Sequence, residues 1–202
     1  MTIPDFSFEK NYTLENEVAL LRPLELTDCT HLSAFAEHET DIWKYSLMRI
    51  ASPSDLQEYI KLALEARAQQ KEYPFVVFDK RSGKYAGSTR FYDIQLNNSS
   101  LQLGYTWYGK SFQQTGLNRH CKFLLLQFAF EQCGFERVEF RADARNERSI
   151  NAMKKIGCTV EGILRSHMWL PDGTRRGSII LSILKDEWNS HVRNHLGALL
   201  LR

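Results

Sequence analysis

The residues from Phe112 to Asn118 read Phe-Gln-Gln-Thr-Gly-Leu-Asn, a short polar loop with one glycine. At the start of a helix such a loop is suited to holding an anion. The first four N–H groups of a helix have no partner inside it, and the helix dipole adds partial positive charge there. Phosphate is the ligand that fits best. An ordinary strand-to-helix turn would look the same, so the loop alone does not decide. Its surroundings say more. Leu101 to Tyr108 is an apolar, aromatic run that reads as a strand, and Leu117, Cys121, Leu124, Leu125 and Phe128 recur at helical spacing toward Cys133. Arg119 and Lys122 fall in the first turns of that helix, within reach of a phosphate, on what reads as a solvated face.

The elements that must position this loop follow from the patterning. Val18 to Leu24 reads as a first strand, and Thr27 or Asp28 caps a helix through Glu39. Ser52 and Pro53 suit the cap and first position of a second helix, running to about Gln70. Between the two helices, the aromatic stretch from Asp41 to Met48 reads equally as core filler or as a pocket wall. Period-two runs Phe75 to Phe78 and Tyr85 to Tyr92 flank a turn at 79–84, and Leu101 to Tyr108 completes a meander. Arg137 to Asp143 alternates Val138, Phe140 and Ala142 with charges, the mark of a half-buried strand. Asn146 caps a short helix that buries Ile150, Met153 and Ile156, and Gly157 ends it. A hairpin from Thr159 to Leu184, turning at Pro171-Asp172-Gly173, closes the order βααβββαβαββ. Residues after Lys185 suit a short amphipathic helix.

The chain has 202 residues, 43% of them hydrophobic and 25% charged, with net charge +2. That length supports one domain, residues 1–202, of mixed α/β type with a real core. A near-neutral balance without a Lys/Arg block speaks against nucleic-acid binding. Cys29, Cys121, Cys133 and Cys158 stand singly, which suits small core residues and a reducing, cytoplasmic setting. Pro4, Asp5, Glu9 and Lys10 leave no apolar stretch for a signal peptide, and no apolar run approaches the ~18–20 residues of a membrane span. His31, His38, His120, His191 and His195 lack metal-like spacing and read as surface residues, so no metal is expected.

The element order, with the polar loop after the fourth strand, resembles the GNAT superfamily of acyl-CoA N-acetyltransferases over about residues 17–188, leaving 189–202 as a tail. The pyrophosphate loop of that family reads Gln/Arg-x-x-Gly-x-Gly/Ala, and here Gln113-Gln114-Thr115-Gly116-Leu117-Asn118 matches except that Asn118 is bulkier. Asp143-Ala144-Arg145-Asn146-Glu147-Arg148-Ser149, continuing through Gly157 to Glu161-Gly162, is similar to the Asn-x-x-Ser…Gly-Phe-x-x-Glu-Gly run of the ribosomal-protein N-terminal acetyltransferase-like branch. The resemblance implies a GNAT-like fold, a single mixed and mostly antiparallel twisted sheet flanked by helices. It implies acetyl-CoA as cosubstrate and an amine as acceptor, with the protein a monomer or homodimer. Backbone of Gln113 to Asn118 would take the pyrophosphate. Thr106, Trp107 and Tyr108, on a strand splayed from Arg137–Asp143, would meet the pantetheine amides together with Asn146.

Acetyl transfer to an amine needs a neutral amine, a polarised thioester carbonyl and a protonated leaving thiolate. The resemblance puts Ser149 beside the sulfur. Glu161 and His167 are the candidate bases on the following strand, although part of the branch carries a glutamate where Met168 aligns. Trp43, Tyr45 and Met48, with Trp107, are the candidate acceptor wall. Two functions stay open on these residues: an N-acetyltransferase for a peptide N-terminus or small amine, and a catalytically weak acyl-CoA-binding regulatory module.

Overall fold

Apolar alternation builds one sheet of eight strands in a computed structural model that describes residues 3–201. The strands are β1 Leu14–Glu15, β2 Ala19–Pro23, β3 Glu72–Asp79, β4 Lys84–Gln95, β5 Ser100–Tyr108, β6 Arg137–Asp143, β7 Thr159–Trp169 and β8 Arg175–Leu184. Their spatial order is β1-β2-β3-β4-β5-β6-β8-β7. Every neighbouring pair is antiparallel except β5 and β6. The mixed, mostly antiparallel sheet is therefore as expected, with β1 added in front.

Helices cover both faces. On one side lie α1 (Cys29–His38) and α2 (Pro53–Ala68), packed over Val76 and Trp107. The start of α2 is set locally, because Ser52 Oγ accepts from Asp55 N at 3.2 Å and Pro53 takes the first position. On the other side, α3 (Leu117–Gln127) and α4 (Glu147–Lys155) pack over Phe75, Val77, Leu101, Val138 and Phe140. Side chains one residue apart on a strand face opposite layers, so each strand serves both cores.

The segment beyond Leu184, read from the sequence as an amphipathic tail, packs into the α3 layer. Trp188, Val192 and Leu196 are fully buried there at successive four-residue steps, ahead of and within a terminal helix, Arg193–Leu200. Amphipathic spacing reveals the helix but not the surface it covers.

One departure from regular pairing shapes the site. β5 and β6 are hydrogen-bonded only where Ser100, Leu101 and Gln102 face Arg137, Val138 and Glu139. Both strands continue, to Tyr108 and Asp143, without each other. The resulting wedge opens toward the N-termini of α3 and α4. β5 also bulges against β4 between Gly104 and Trp107, with Tyr105 in the left-handed region at φ 49°. Gly104 stands at its edge, but the left-handed residue is Tyr105.

Candidate active site

At the open end of the wedge sits the polar loop. Gln114 has φ 63° and Gly116 φ 89°, with Thr115 between them. Alternating hands turn successive N–H groups toward one concavity, an arrangement that holds anions. A glutamine in the left-handed region is uncommon, and such strain is tolerated mainly where function uses it. The N–H groups of Gln114, Thr115 and Gly116 donate to no other backbone group among the described residues. A side chain added at Gly116 would meet nothing nearer than Arg119 Nη2 at 3.9 Å, so the space above the glycine is open. Asn118 turns its Oδ1 inward, buried and without a partner. Open N–H groups and free space above Gly116 are what a pyrophosphate would need.

Side chains brace the loop from three directions. Arg81, from the β3–β4 turn, donates through Nη1 to Thr115 O at 3.1 Å. Gln113 donates to Tyr108 O at 2.8 Å and accepts from Arg148 Nη2 at 2.7 Å. Arg148 belongs to the first turn of α4, so this bond links the N-termini of the two helices. Arg119 Nη1 donates to Leu199 O at 2.8 Å, tying α3 to the terminal helix. Sequence reading missed Arg81 and Arg148, since nothing in the sequence brings residues so far apart together.

The Asp143–Ser149 run folds as a capped turn. The buried Asp143 carboxylate accepts from Arg145 N, Nε and Nη2 at 2.9, 2.9 and 2.7 Å. Those bonds, the Arg145 side chain foremost, hold its pKa below the usual carboxylate range. Asn146 Oδ1 accepts from Ser149 N at 3.1 Å, the cap read from the sequence. Because the bond uses the backbone of Ser149, its hydroxyl is left outside the cap.

The candidate bases separate. His167 Nδ1 lies 2.9 Å from Ser178 Oγ, and Ser178 pairs in register with Asp143 at the open end of the wedge. A bulge between Leu164 and Met168, with Ser166 at φ 51°, turns the imidazole there. Burial first, and then Arg141, Arg176 and Arg175, hold its pKa below the ordinary histidine value, so it is neutral at pH 7. Glu161 is not brought to this place. Its carboxylate is paired with Arg137, at 2.7 Å between Oε2 and Nη2, and accepts from Ser182 Oγ at 2.5 Å. Ser182 faces Glu139, four residues along β6 from Asp143, about 13 Å away at the usual strand rise. The Arg137 bond holds its pKa low. A low-pKa, ion-paired carboxylate is a poor base.

The proposed acceptor wall is mostly core. Trp43 is buried against Trp107, ring centres 4.4 Å apart, and Met48 packs beside them. Tyr45 alone reaches across, its hydroxyl 3.4 Å from Arg145 O. Thr106, Trp107 and Tyr108 lie on β5 beyond its last pair with β6; Trp107 and Tyr108 are buried, and Thr106 Oγ1 is hydrogen-bonded to Thr89 Oγ1 and Lys122 Nζ. Two readings fail outright. His120 is buried, its Nδ1 3.1 Å from Asn16 Nδ2, and Lys122 is buried rather than solvated. Among the described residues no group of His, Cys, Asp and Glu is placed to hold a metal, and no helix is long and apolar enough to cross a membrane.

An open, N–H-lined loop thus stands at the mouth of two parting parallel strands, with the capped start of α4 opposite. Residues 19–159 match the acetyltransferase (GNAT) domain family, and the chain belongs to it. It is similar to the "Putative ribosomal N-acetyltransferase YdaF" of Bacillus subtilis, 28% identical over 106 residues, 52% of this chain and 57% of that one. It is also similar to "Probable N-acetyltransferase YjcK" of the same organism, 23% identical over 180 residues, 86% of this chain and 98% of that one. Among solved structures, a GCN5-related N-acetyltransferase from Brucella melitensis superposes with TM-score 0.89 at 24% identity, over 98% of this chain and 89% of that one, a likeness of fold. Acetyl-CoA is the acyl donor in this family.

If the cradle holds the cofactor pyrophosphate, Gly116→Val weakens CoA binding at least tenfold, roughly 1.4 kcal/mol. A branched side chain fills the approach to the N–H groups and disfavours the positive φ. Calorimetry on the folded variant checks it, and unchanged affinity would remove the loop from the binding site.

Proposed function

We propose that this N-acetyltransferase acetylates an α-amine, that of a protein or peptide N-terminus or of a small molecule, in preference to exposed lysine. The observation that carries the reading is the base at the wedge. His167 is a neutral imidazole with a depressed pKa, and the charges that act on it among the described residues are Arg141, Arg176 and Arg175. An α-amine, pKa ~8, is about one-tenth neutral at pH 7, whereas lysine at ~10.4 is neutral in well under a thousandth of molecules. A weak base is adequate for the first and not for the second. Similarity to YdaF, described as a "Putative ribosomal N-acetyltransferase", supports an acceptor on a protein.

In this reading backbone of Gln113 to Asn118 holds the pyrophosphate. The unpaired edges of β5 and β6, with Asn146, take the pantetheine amides. Ser149 donates a hydrogen bond to the departing sulfur, and His167 takes the amine proton. Trp107, Trp43 and Met48 shape the acceptor side from beneath, and Tyr45 borders it. A peptide carrying both a free N-terminus and an internal lysine provides the test. Mass spectrometry is expected to find the N-terminus favoured on the order of 10²-fold. Acetyl groups mainly on the lysine would refute the assignment.

A further inference from the structure

A buried ammonium bridges the wedge. Lys122 leaves the second turn of α3, and its Nζ donates to Thr106 Oγ1 at 2.9 Å. The same nitrogen lies 5.8 Å from the centre of the Phe140 ring. Thr106 lies on β5 beyond its last bond to β6, and Phe140 lies on β6 beyond its last bond to β5. Lys122 thus touches both strands after they have parted.

The ammonium is poorly served by the protein. Thr106 Oγ1 is shared with Thr89 Oγ1 at 2.7 Å, and among the described residues two of the three lysine donors have no acceptor. No ion pair of Lys122 occurs among the described residues. The titratable groups facing it are thiols, Cys121 from α3 and Cys158 after α4, both pushed up by burial to about 12 and so neutral. Burial lowers Lys122 itself to about 8. A cation without a counter-charge is among the costlier things a fold can bury. Leucine or methionine would fill the space more cheaply, so packing does not account for a lysine.

We propose that Lys122 is a further catalytic residue, whose ammonium stabilises the CoA thiolate as it departs and passes it a proton. This rests on the reading that the cofactor arm lies between β5 and β6. The acceptor nitrogen bonds to the acetyl carbon, and the C–S bond breaks with its electron pair on sulfur. The surplus amine proton goes to His167, and a Lys122 proton goes to sulfur, leaving a neutral lysine. Solvent then reprotonates Lys122 and deprotonates the imidazolium, so protons balance. A serine hydroxyl can donate a hydrogen bond to sulfur but is not a proton source near neutrality. A lysine near the thiol range, ~8.5, is matched to that task. The charge acts on the leaving group only as it forms, which favours the transition state over the bound thioester.

The test compares coenzyme A with desulfo-coenzyme A on the intact protein. Both are titrated by calorimetry, and the bound thiol is titrated through its thiolate ultraviolet absorbance. In the wild type the bound thiol is expected to ionise at least one pH unit below free CoA, with at least tenfold tighter binding than desulfo-CoA at pH 8. Lys122→Met is expected to abolish both differences, keep desulfo-CoA affinity, and raise the melting temperature of the free protein. Lys122→Gln serves in its place if the methionine variant does not fold. A thiol shift that persists in the folded variant overturns the proposal. So does a wild type that binds both ligands equally, which leaves the cofactor reading standing. A wild type that binds neither overturns that reading as well.

Discussion

Ser149→Ala is expected to lower kcat by about 10²–10³-fold while leaving CoA affinity nearly unchanged, the usual loss when one hydrogen-bond donor to the charge developing on a leaving group is removed. The substitution is clean for a structural reason. The cap of α4 uses Asn146 Oδ1 and the backbone N–H of Ser149, and alanine keeps that N–H. Alanine is also a good helix former, so α4 has no cause to fray. What disappears is a hydroxyl that the cap does not use, at the mouth of the wedge where the departing sulfur would lie. Asn146→Ala provides the contrast. It should cost about 1 kcal/mol of stability as a lost cap, and it should raise the KM for acetyl-CoA if Asn146 also holds an amide of the arm. Steady-state release of free CoA measures both variants. A Ser149→Ala enzyme within twofold of the wild-type kcat would reduce Ser149 to a position on a helix.

The parts of the site set by local sequence were legible beforehand. Asn146 announces the start of α4 and Gly157, at φ 105°, its end, because caps depend on a few adjacent residues. β6 showed its buried face through strict alternation of Val138, Phe140 and Ala142. The cradle at Gly116 was legible as a loop opening a helix, though the strain at Gln114 was not. What escaped depends on pairing between distant strands. Tyr105 and Ser166 take left-handed backbone without being glycine, and each marks a bulge that alternation does not foretell. His167 and Glu161 would share a face on a regular strand but stand six residues apart on β7, with pairing irregularities between Val160 and Gly162 and between Leu164 and Met168. Lys122 misled for another reason. Helical spacing assigns it a face, but only the parting of β5 and β6 makes that face an interior one.

The terminal segment carries the other large effect, since Trp188→Ala is expected to cost about 3–5 kcal/mol, as for aromatic-to-alanine changes in cores. Trp188 is fully buried, stacked on Phe130 with ring centres 5.7 Å apart and tilted against Phe123 at 5.8 Å. Its indole N–H donates to Glu131 Oε1 at 2.9 Å, so the ring satisfies its polar atom as well as filling space. Alanine would leave a cavity between α3, its π-helical extension Phe128–Gln132 and the terminal helix. Against a typical total of 5–15 kcal/mol, that is a large share of the stability of a domain. Urea unfolding should show a lower midpoint with an unchanged slope. Leu201→Ala, at a side chain 91% exposed, is the control and should change nothing. The loss should reach the site too, because Leu199 O holds Arg119 in the first turn of α3, next to the loop proposed to hold the pyrophosphate. Weaker CoA binding is therefore expected in Trp188→Ala under conditions where it remains folded. A cost below 1 kcal/mol would mean that the helix after Leu184 is attached to the domain without supporting it.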